Sequence, residues 1–311
     1  MIVAMVLPLA VSLLLGASAS RLGPRLPPGT AVRLLTAAML VTALATGFVL
    51  AAAGMLVLAQ IPLVATLGHY SARALGSGLP VPVLAGGVAA VTVCGLLAAA
   101  LRRAALGGRD LVLAAVACRR LGPAVNGLVV VDDDDEPDAY TLPGLGGRVV
   151  VSTAMLRALP ADERRVLLAH EAAHLSRRHH LWVQAAELAA AANPLLRPAA
   201  AAVRAAVERD ADELAAAEVG DRALTARALA RAGLARAAAR RATPPEVALA
   251  GADAAVAERA RALLAGPPAR RRVLVGMLTA LMLATGVAVL VTGADTEARF
   301  EAAQHAYAML H

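Results

Sequence analysis

Four long stretches without a charged residue constrain the fold more than any other feature of the sequence. They lie at about residues 1–19, 34–60, 79–101 and 273–293. A helix needs about 20 mostly apolar residues to cross the hydrocarbon core of a bilayer, and each stretch has roughly that length. The chain as a whole is 59% hydrophobic, which is too apolar for an ordinary soluble domain. We therefore predict an α-helical membrane protein with four transmembrane helices.

Arginine clusters beside these stretches set the predicted orientation. They lie at residues 21–33, after the first stretch, at 102–103, after the third, and at 270–272, before the fourth. Because cytoplasmic loops are enriched in Lys and Arg, we place all three clusters in the cytoplasm. We then expect a multi-pass protein of the cell membrane with both termini outside. The net charge of +7 is explained by these clusters and by anionic lipid, without direct nucleic-acid binding.

The residues between the third and fourth stretches have the size and polarity of one soluble domain. We predict a division into residues 1–103 with three spans, 104–269 as a cytoplasmic domain, and 270–311 with the fourth span and a short external tail. The middle domain is expected to be mostly α, in the α+β class. Its predicted elements are a short helix at 111–120, strands at 127–131, 140–142 and 148–151, a solvated acidic turn at 132–136, and a helix capped by Ser152 that runs through Leu159.

The sequence His170-Glu171-Ala172-Ala173-His174 places two imidazoles and a carboxylate on one helix. Residues four apart lie on the same helix face, so both histidines can bind one metal ion at about 2.0–2.1 Å. Glu171 can then take a proton from a metal-bound water, as the general base does in HExxH peptidases. The motif predicts a Zn²⁺ site with Glu171 as the catalytic residue. On these five residues alone, a solvated helix with incidental histidines is the alternative.

A catalytic zinc ion needs a third protein ligand and one open position. The helix that carries the motif should run from Pro160 to Asn193-Pro194, where proline ends it, and the next helix can fold back beside it. Glu208 on that returning helix is the predicted third ligand. Asp212, one turn later, is placed to accept the other ring N–H of His170, as a contact behind the ligand.

The register of the two helices leaves an alternative third ligand open. A simple antiparallel hairpin sets Glu208 opposite Arg178, about one helical turn beyond His174. Glu213 lies closer in that register, although crossing angle and turn length can absorb one turn. For the histidines after the motif, His179 and His180, a local ion pair or a solvated face is preferred to metal binding.

The stretch from Leu167 to Asp212 resembles the integral-membrane gluzincin peptidases related to the BlaR/MecR beta-lactam sensor-transducers. The resemblance implies zinc ligation by His170, His174 and Glu208, with Glu171 as base and Asp212 behind His170. HtpX-like peptidases are the second match. Two departures from the sensor family are His179, where that family often has Asp, and Ala211 in place of a cysteine. The motifs that carry the resemblance are Ala169-His170-Glu171-Ala172-Ala173-His174, Asn193-Pro194-Leu195-Leu196, Glu208-Arg209-Asp210-Ala211-Asp212 and Glu258-Arg259, with Val149-Val150-Val151-Ser152 and His179 closer to the HtpX-like group.

These observations together predict a membrane-bound zinc metalloendopeptidase that hydrolyses peptide bonds in a cytoplasmic or membrane protein. The sensor-transducer resemblance implies signal transduction by cleavage of a transcriptional repressor, typically a winged-helix protein. Residues 294–311 are too few for a penicillin-binding sensor, which is therefore not expected. The HtpX-like resemblance implies quality control of membrane proteins instead, and a non-catalytic signalling scaffold is the third alternative. The strand at 148–151 is expected to be an edge strand that pairs with the substrate.

Overall fold

The computed structural model describes residues 2–309 with short gaps. The gaps are residues 78–80, 122–123, 125–126, 133–135, 145, 241–246, 267–268 and 270, together with the side chains at 240 and 247–253. The predicted start of the third span at residue 79, the centre of the acidic run 132–136, and Arg270 in the third arginine cluster lie outside the described residues.

Four helices in the described part of the chain are long and apolar enough to cross a membrane. They are α1 (Ile2–Leu22), α2 (Pro28–Leu58), α5 (Val83–Arg120) and α12 (Arg272–Ala308), with α3 (Pro62–Leu67) and α4 (Ala72–Gly76) between α2 and α5.

Each of these helices covers most of one predicted span, but two are much longer than the span. Helix α5 continues to Arg120, so the separate short helix predicted at 111–120 is wrong. Helix α12 likewise continues through the predicted tail to Ala308. Both extensions are rich in Ala, which favours helix, and neither contains proline.

The long helices pack side by side, and their ends lie on two opposite sides of the bundle. Met5 of α1, Ala53 of α2 and Ala89 of α5 form one cluster, so neighbouring helices in this set run antiparallel. Near the end of α2, Tyr70 packs edge-on against Phe300 of α12 at 5.5 Å between ring centroids. The start of α1, the end of α2, the start of α5 and the end of α12 therefore lie on the same side. Which side faces the cytoplasm stays a prediction.

A three-stranded sheet with the order β1-β3-β2 lies beside the helix that carries the histidine motif. Strand β1 (Leu128–Val131) pairs parallel to β3 (Arg148–Ser152), and β2 (Ala139–Leu142) pairs antiparallel to β3. The three predicted strands are confirmed. The prediction that 148–151 is an edge strand is wrong, because β3 is the central and most buried strand.

The remaining helices follow the sheet. Ser152 caps α6 as predicted, because its hydroxyl accepts the backbone N–H of Met155 at 3.1 Å. These helices are α6 (Thr153–Ala158), α7 (Ala161–Ser176), α8 (His179–Ala192), α9 (Arg197–Val219), α10 (Arg222–Arg240) and α11 (Val247–Ala265).

The single helix predicted from Pro160 to Asn193 is in fact two helices, α7 and α8. Arg178 between them has φ 52°, a left-handed backbone conformation that cannot continue a right-handed helix. Leu181, which a continuous helix would place on the same face as His170 and His174, is 44% exposed after this break. The predicted end at Asn193 is confirmed.

Helices α8 and α9 share a hydrophobic core with the N-terminal helices. Leu15 of α1, Leu35 of α2, Ala189 of α8 and Val203 of α9 belong to one buried cluster. The hairpin that carries the second half of the candidate site is thus packed directly against two of the membrane-length helices.

Candidate metal centre

Helix α7 presents the histidine motif toward α9 because the rest of that face is buried. Val166 and Leu167 are 0% and 3% exposed, and Ala169 and Ala173 are 5% exposed. His170 and His174, on the same face one turn apart, therefore point into the space between α7 and α9.

The two imidazoles and one glutamate meet at this point. The Nε2 atoms of His170 and His174 are 3.2 Å apart. The carboxylate of Glu208 lies across from them, with Oε2 3.8 Å from His170 Nε2 and Oε1 3.8 Å from His174 Nε2. Tetrahedral zinc with bonds of about 2.0–2.1 Å places its ligand atoms about 3.3 Å apart, so these three groups fit one zinc ion after a small movement of Glu208.

The break at Arg178 explains why Glu208 can reach the histidines. In a continuous helix, Glu208 would lie about one turn beyond His174. The chain instead turns after Ser176, and α8 leaves in a new direction, which brings α9 back beside the motif. The alternative ligand Glu213 accepts two hydrogen bonds from Arg222, both at 2.7 Å, and lies away from the histidines.

Asp212 lies behind His170, where the sequence placed it. Its Oδ1 is 3.0 Å from His170 Nδ1, although the ring N–H is not aligned with that oxygen. Burial raises the pKa of Asp212, but hydrogen bonds from Arg259 and the contact with His170 outweigh it and hold the pKa below its usual value. A carboxylate that stays ionised behind a ligand fixes the tautomer that leaves Nε2 available for the metal.

Arg259 of α11 joins the two acidic groups, a role that the sequence analysis did not assign. Its Nε and Nη2 donate to Asp212 at 2.8 and 2.6 Å, and its Nη1 lies 3.0 Å from Glu208 Oε2. The arginine neutralises part of the charge that the two carboxylates bring into the site. Its only sequence signal was the Glu258-Arg259 motif of the family resemblance.

His179 lies against the far side of His174. It is not among the described residues that could share one metal ion, as predicted, but it is neither solvated nor paired with a local acid. It is 2% exposed, and its Nδ1 lies 3.0 Å from His174 Nδ1. Its Nε2 lies 3.2 Å from Asp210 Oδ2 on α9. If His174 binds a metal through Nε2, its Nδ1 carries the proton, so His179 accepts at Nδ1 and donates from Nε2 to Asp210.

Burial affects the protonation of His174 and Glu171. It lowers the pKa of His174 to about 3, with further lowering from His170 and His179. Burial raises the pKa of Glu171, while His170 and a hydrogen bond from Thr141 act in the opposite direction. The imidazole is thus neutral, as a metal ligand must be, and the carboxylate is a stronger base than a solvated one.

Thr141 of β2 positions the carboxylate of Glu171. The threonine hydroxyl donates to Glu171 Oε2 at 2.8 Å and lies 3.2 Å from the backbone oxygen of the same residue. Glu171 is only 6% exposed, so this contact decides how the carboxylate faces the cleft. Nothing in the sequence distinguished Thr141 from other strand residues.

A cleft of about 540 Å³ opens onto these groups, and strand β2 forms one wall of it. Strand β2, not the strand predicted at 148–151, is the edge strand that faces the cleft. Arg236 of α10 stands at one end of this wall and donates to the backbone oxygen of Ala139.

A HExxH helix whose imidazoles meet a glutamate of a second helix, beside an edge strand, defines a metallopeptidase. Residues 110–307 match the model of peptidase family M48, and because they make up well over half of the chain, the protein belongs to that family. Peptidases of this family are generally zinc-dependent. Comparisons with curated proteins and with solved structures find no match.

Proposed function

We propose that this protein is an integral-membrane zinc metalloendopeptidase in which His170, His174 and Glu208 hold the zinc ion. The observation that carries the proposal is the convergence of these three side chains, whose ligand atoms all lie within 4.8 Å of one another. Contacts behind the ligands support it, because Asp212 and His179 each face the ring nitrogen that a metal would not use.

Glu171 is the general base of the proposed reaction. A bound zinc ion supplies Lewis-acid chemistry, polarising the peptide carbonyl and lowering the pKa of water to about 7. Glu171 takes the proton of the attacking water and passes it to the leaving amine. Thr141 holds Oε2, so we assign Oε1 to the proton. The raised pKa of Glu171 suits a group that has to both accept and donate a proton near neutral pH.

The substrate is proposed to bind as an extended peptide along β2. An edge strand offers unpaired backbone groups to which another strand can add. The cleft beside β2 leads to Glu171 and the two histidines. Tyr140, 44% exposed on this strand, is available to contact a substrate side chain.

The natural substrate is proposed to be a cytoplasmic or membrane protein. We propose that the arginine clusters, and with them the metal centre, lie on the cytoplasmic side, which the enrichment of Lys and Arg in cytoplasmic loops supports. Following the sensor-transducer resemblance, we propose signal transduction by cleavage of a winged-helix transcriptional repressor. Proteins that accumulate in a Glu171→Gln strain separate this from quality control, because a single repressor or many damaged membrane proteins would be found.

Cleavage of a test protein such as casein by the purified, zinc-loaded protein tests the proposed chemistry. Glu171→Gln should keep zinc and lose at least about 100-fold in cleavage rate, since general-base catalysis typically contributes that much. Glu187→Gln, which changes a glutamate paired with Arg204 away from the cleft, should cleave at the rate of the unmodified protein. Full proteolysis by Glu171→Gln would rule out this mechanism, and unimpaired cellular function of that strain would favour the scaffold.

A further inference from the structure

The turn between α8 and α9 is tied to the middle of two membrane-length helices. The Nδ2 group of Asn193 donates to Ser12 Oγ of α1 at 2.7 Å and to Thr46 Oγ1 of α2 at 3.3 Å. Its Oδ1 accepts the backbone N–H of Leu195 at 3.3 Å. Asn193 is 2% exposed, and both Ser12 and Thr46 lie inside charge-free stretches.

Contacts along the helices give the depth of this turn. Ser12 lies about 13 Å along α1 from Arg21, at 1.5 Å per residue. A second estimate comes from α5, where Gly107 lies against Gln184 of α8. Gly107 is five residues beyond Arg102, and Asn193 is nine residues beyond Gln184 in the opposite direction. At 1.5 Å per residue, Asn193 therefore lies about 6 Å below the level of Arg102. If the arginines mark the membrane surface, the turn lies between about 6 and 13 Å beneath it, within the hydrocarbon half-thickness of about 15 Å.

We infer that the α8–α9 hairpin is a re-entrant membrane element, which enters the bilayer from the side of the arginine clusters and turns back at Asn193–Leu196. This inference rests on the membrane placement within the proposed function. Its partner is the acyl-chain region of the lipid, against which Leu195, 38% exposed, would lie.

The polar groups of the turn meet the condition for such an element. Irregular backbone is tolerated at membrane depth only where protein satisfies it. Here the side chains of Asn193, Ser12 and Thr46 form hydrogen bonds with one another. The backbone N–H of Leu196 donates to the backbone oxygen of Asn193 at 3.0 Å. Gly16 of α1 completes the fit, because a Cβ at that position would collide with the Leu195 oxygen.

The charged residues of the hairpin also fit this placement. Arg197 follows Leu195, which contacts Gly16, five residues before Arg21 on α1. Arg197 therefore lies about 5 Å below Arg21, a distance that the arginine side chain can span to reach the surface. Closer to the membrane surface, Glu187 of α8 and Arg204 of α9 form an ion pair between the two helices of the hairpin. No charged residue lies between Glu187 and Arg197 in the sequence.

This placement puts the metal centre at the membrane surface. Asp210, which contacts His179, lies against Gly29 in the first turn of α2, where a Cβ would be 2.7 Å from Oδ1. Arg25 precedes this turn and Arg33 follows it. A substrate cut here is therefore one whose scissile segment lies close to the bilayer, such as the juxtamembrane part of a membrane-anchored protein.

Quenching of tryptophan fluorescence by brominated phospholipids tests the inference in reconstituted full-length protein. The chain has one tryptophan, Trp182 of α8, which lines a cleft with Gly29 and Arg33 and should be quenched most by bromine near the headgroup. In a Trp182→Phe background, Leu195→Trp should be quenched most by mid-chain bromine.

Two matched leucines make the result decisive. Leu44→Trp, on the lipid-exposed face of α2, should be quenched like Leu195→Trp, and Leu234→Trp, exposed on α10, should be quenched by aqueous iodide alone. Quenching of position 44 without quenching of position 195 or of native Trp182 would overturn the hairpin. If position 44 is not quenched either, the membrane placement itself is overturned. Zinc-dependent cleavage is measured separately and tests the proposed peptidase activity.

Discussion

Removing His179 should weaken zinc binding without touching a ligand. In the zinc-bound state, His174 uses Nε2 for the metal, so its Nδ1–H is fixed and needs an acceptor. His179 Nδ1 provides it at 3.0 Å, in a position that is 2% exposed. A buried donor without a partner costs about 1–3 kcal/mol, which corresponds to roughly 5- to 150-fold weaker binding. The metal-free protein escapes most of this cost because His174 can then change tautomer.

Competition with a chromophoric chelator measures this effect directly. His179→Leu should show the full loss, and His179→Gln should recover part of it, since its amide oxygen can accept the Nδ1–H of His174. His180→Ala removes the neighbouring imidazole and leaves the contact between His174 and His179 in place, so its zinc affinity should change little. Zinc binding by His179→Leu within about twofold of the unmodified protein would refute the reasoning, because half a kcal/mol is below the cost of an unpaired donor.

Three further predictions concern the groups around the ligands. Thr141→Val removes a hydrogen bond that lowers the pKa of Glu171, so the acid limb of the kcat/KM profile should move to higher pH, and an unmoved limb would argue against Glu171 as the base. Arg259→Met leaves Asp212 buried without its hydrogen bonds and should lower the free energy of unfolding by about 3–5 kcal/mol, measured in denaturant, with Arg259→Lys losing less. Because the pKa of His174 falls to about 3 on folding, the metal-free protein should lose stability as pH drops from 6.5 toward 3, by up to about 1.4 kcal/mol per pH unit, and His174→Gln should remove that part of the slope.

The sequence predicted local elements well where a strong local signal existed. The strands around Tyr140 and Val150, the Ser152 cap and the end of α8 at Asn193 all depend on short-range chemistry, such as turn residues or the missing N–H of proline. The metal site followed the same logic, since helical spacing alone brings His170 beside His174.

What the sequence could not predict depends on contacts between distant segments. No residue signals the left-handed turn at Arg178, yet this turn redirects α8 and lets Glu208 meet the motif. Strand order also depends on long-range pairing, so the central position of β3 could not be read from its pattern. The packing of α8 and α9 on α1 and α2 was hidden because Ala-rich helices suit both a soluble domain and a membrane hairpin.

X-ray absorption at the zinc edge tests the central claim most directly, because it reports the ligands themselves. For protein loaded with about one zinc ion per chain, we expect two imidazole nitrogens at about 2.0–2.1 Å and carboxylate oxygen at about 2.0–2.2 Å. One imidazole should be lost in His170→Ala, and the Glu213→Gln spectrum should be unchanged. Sulfur at about 2.3 Å, or an unaltered spectrum in His170→Ala, would contradict a site built from His170, His174 and Glu208.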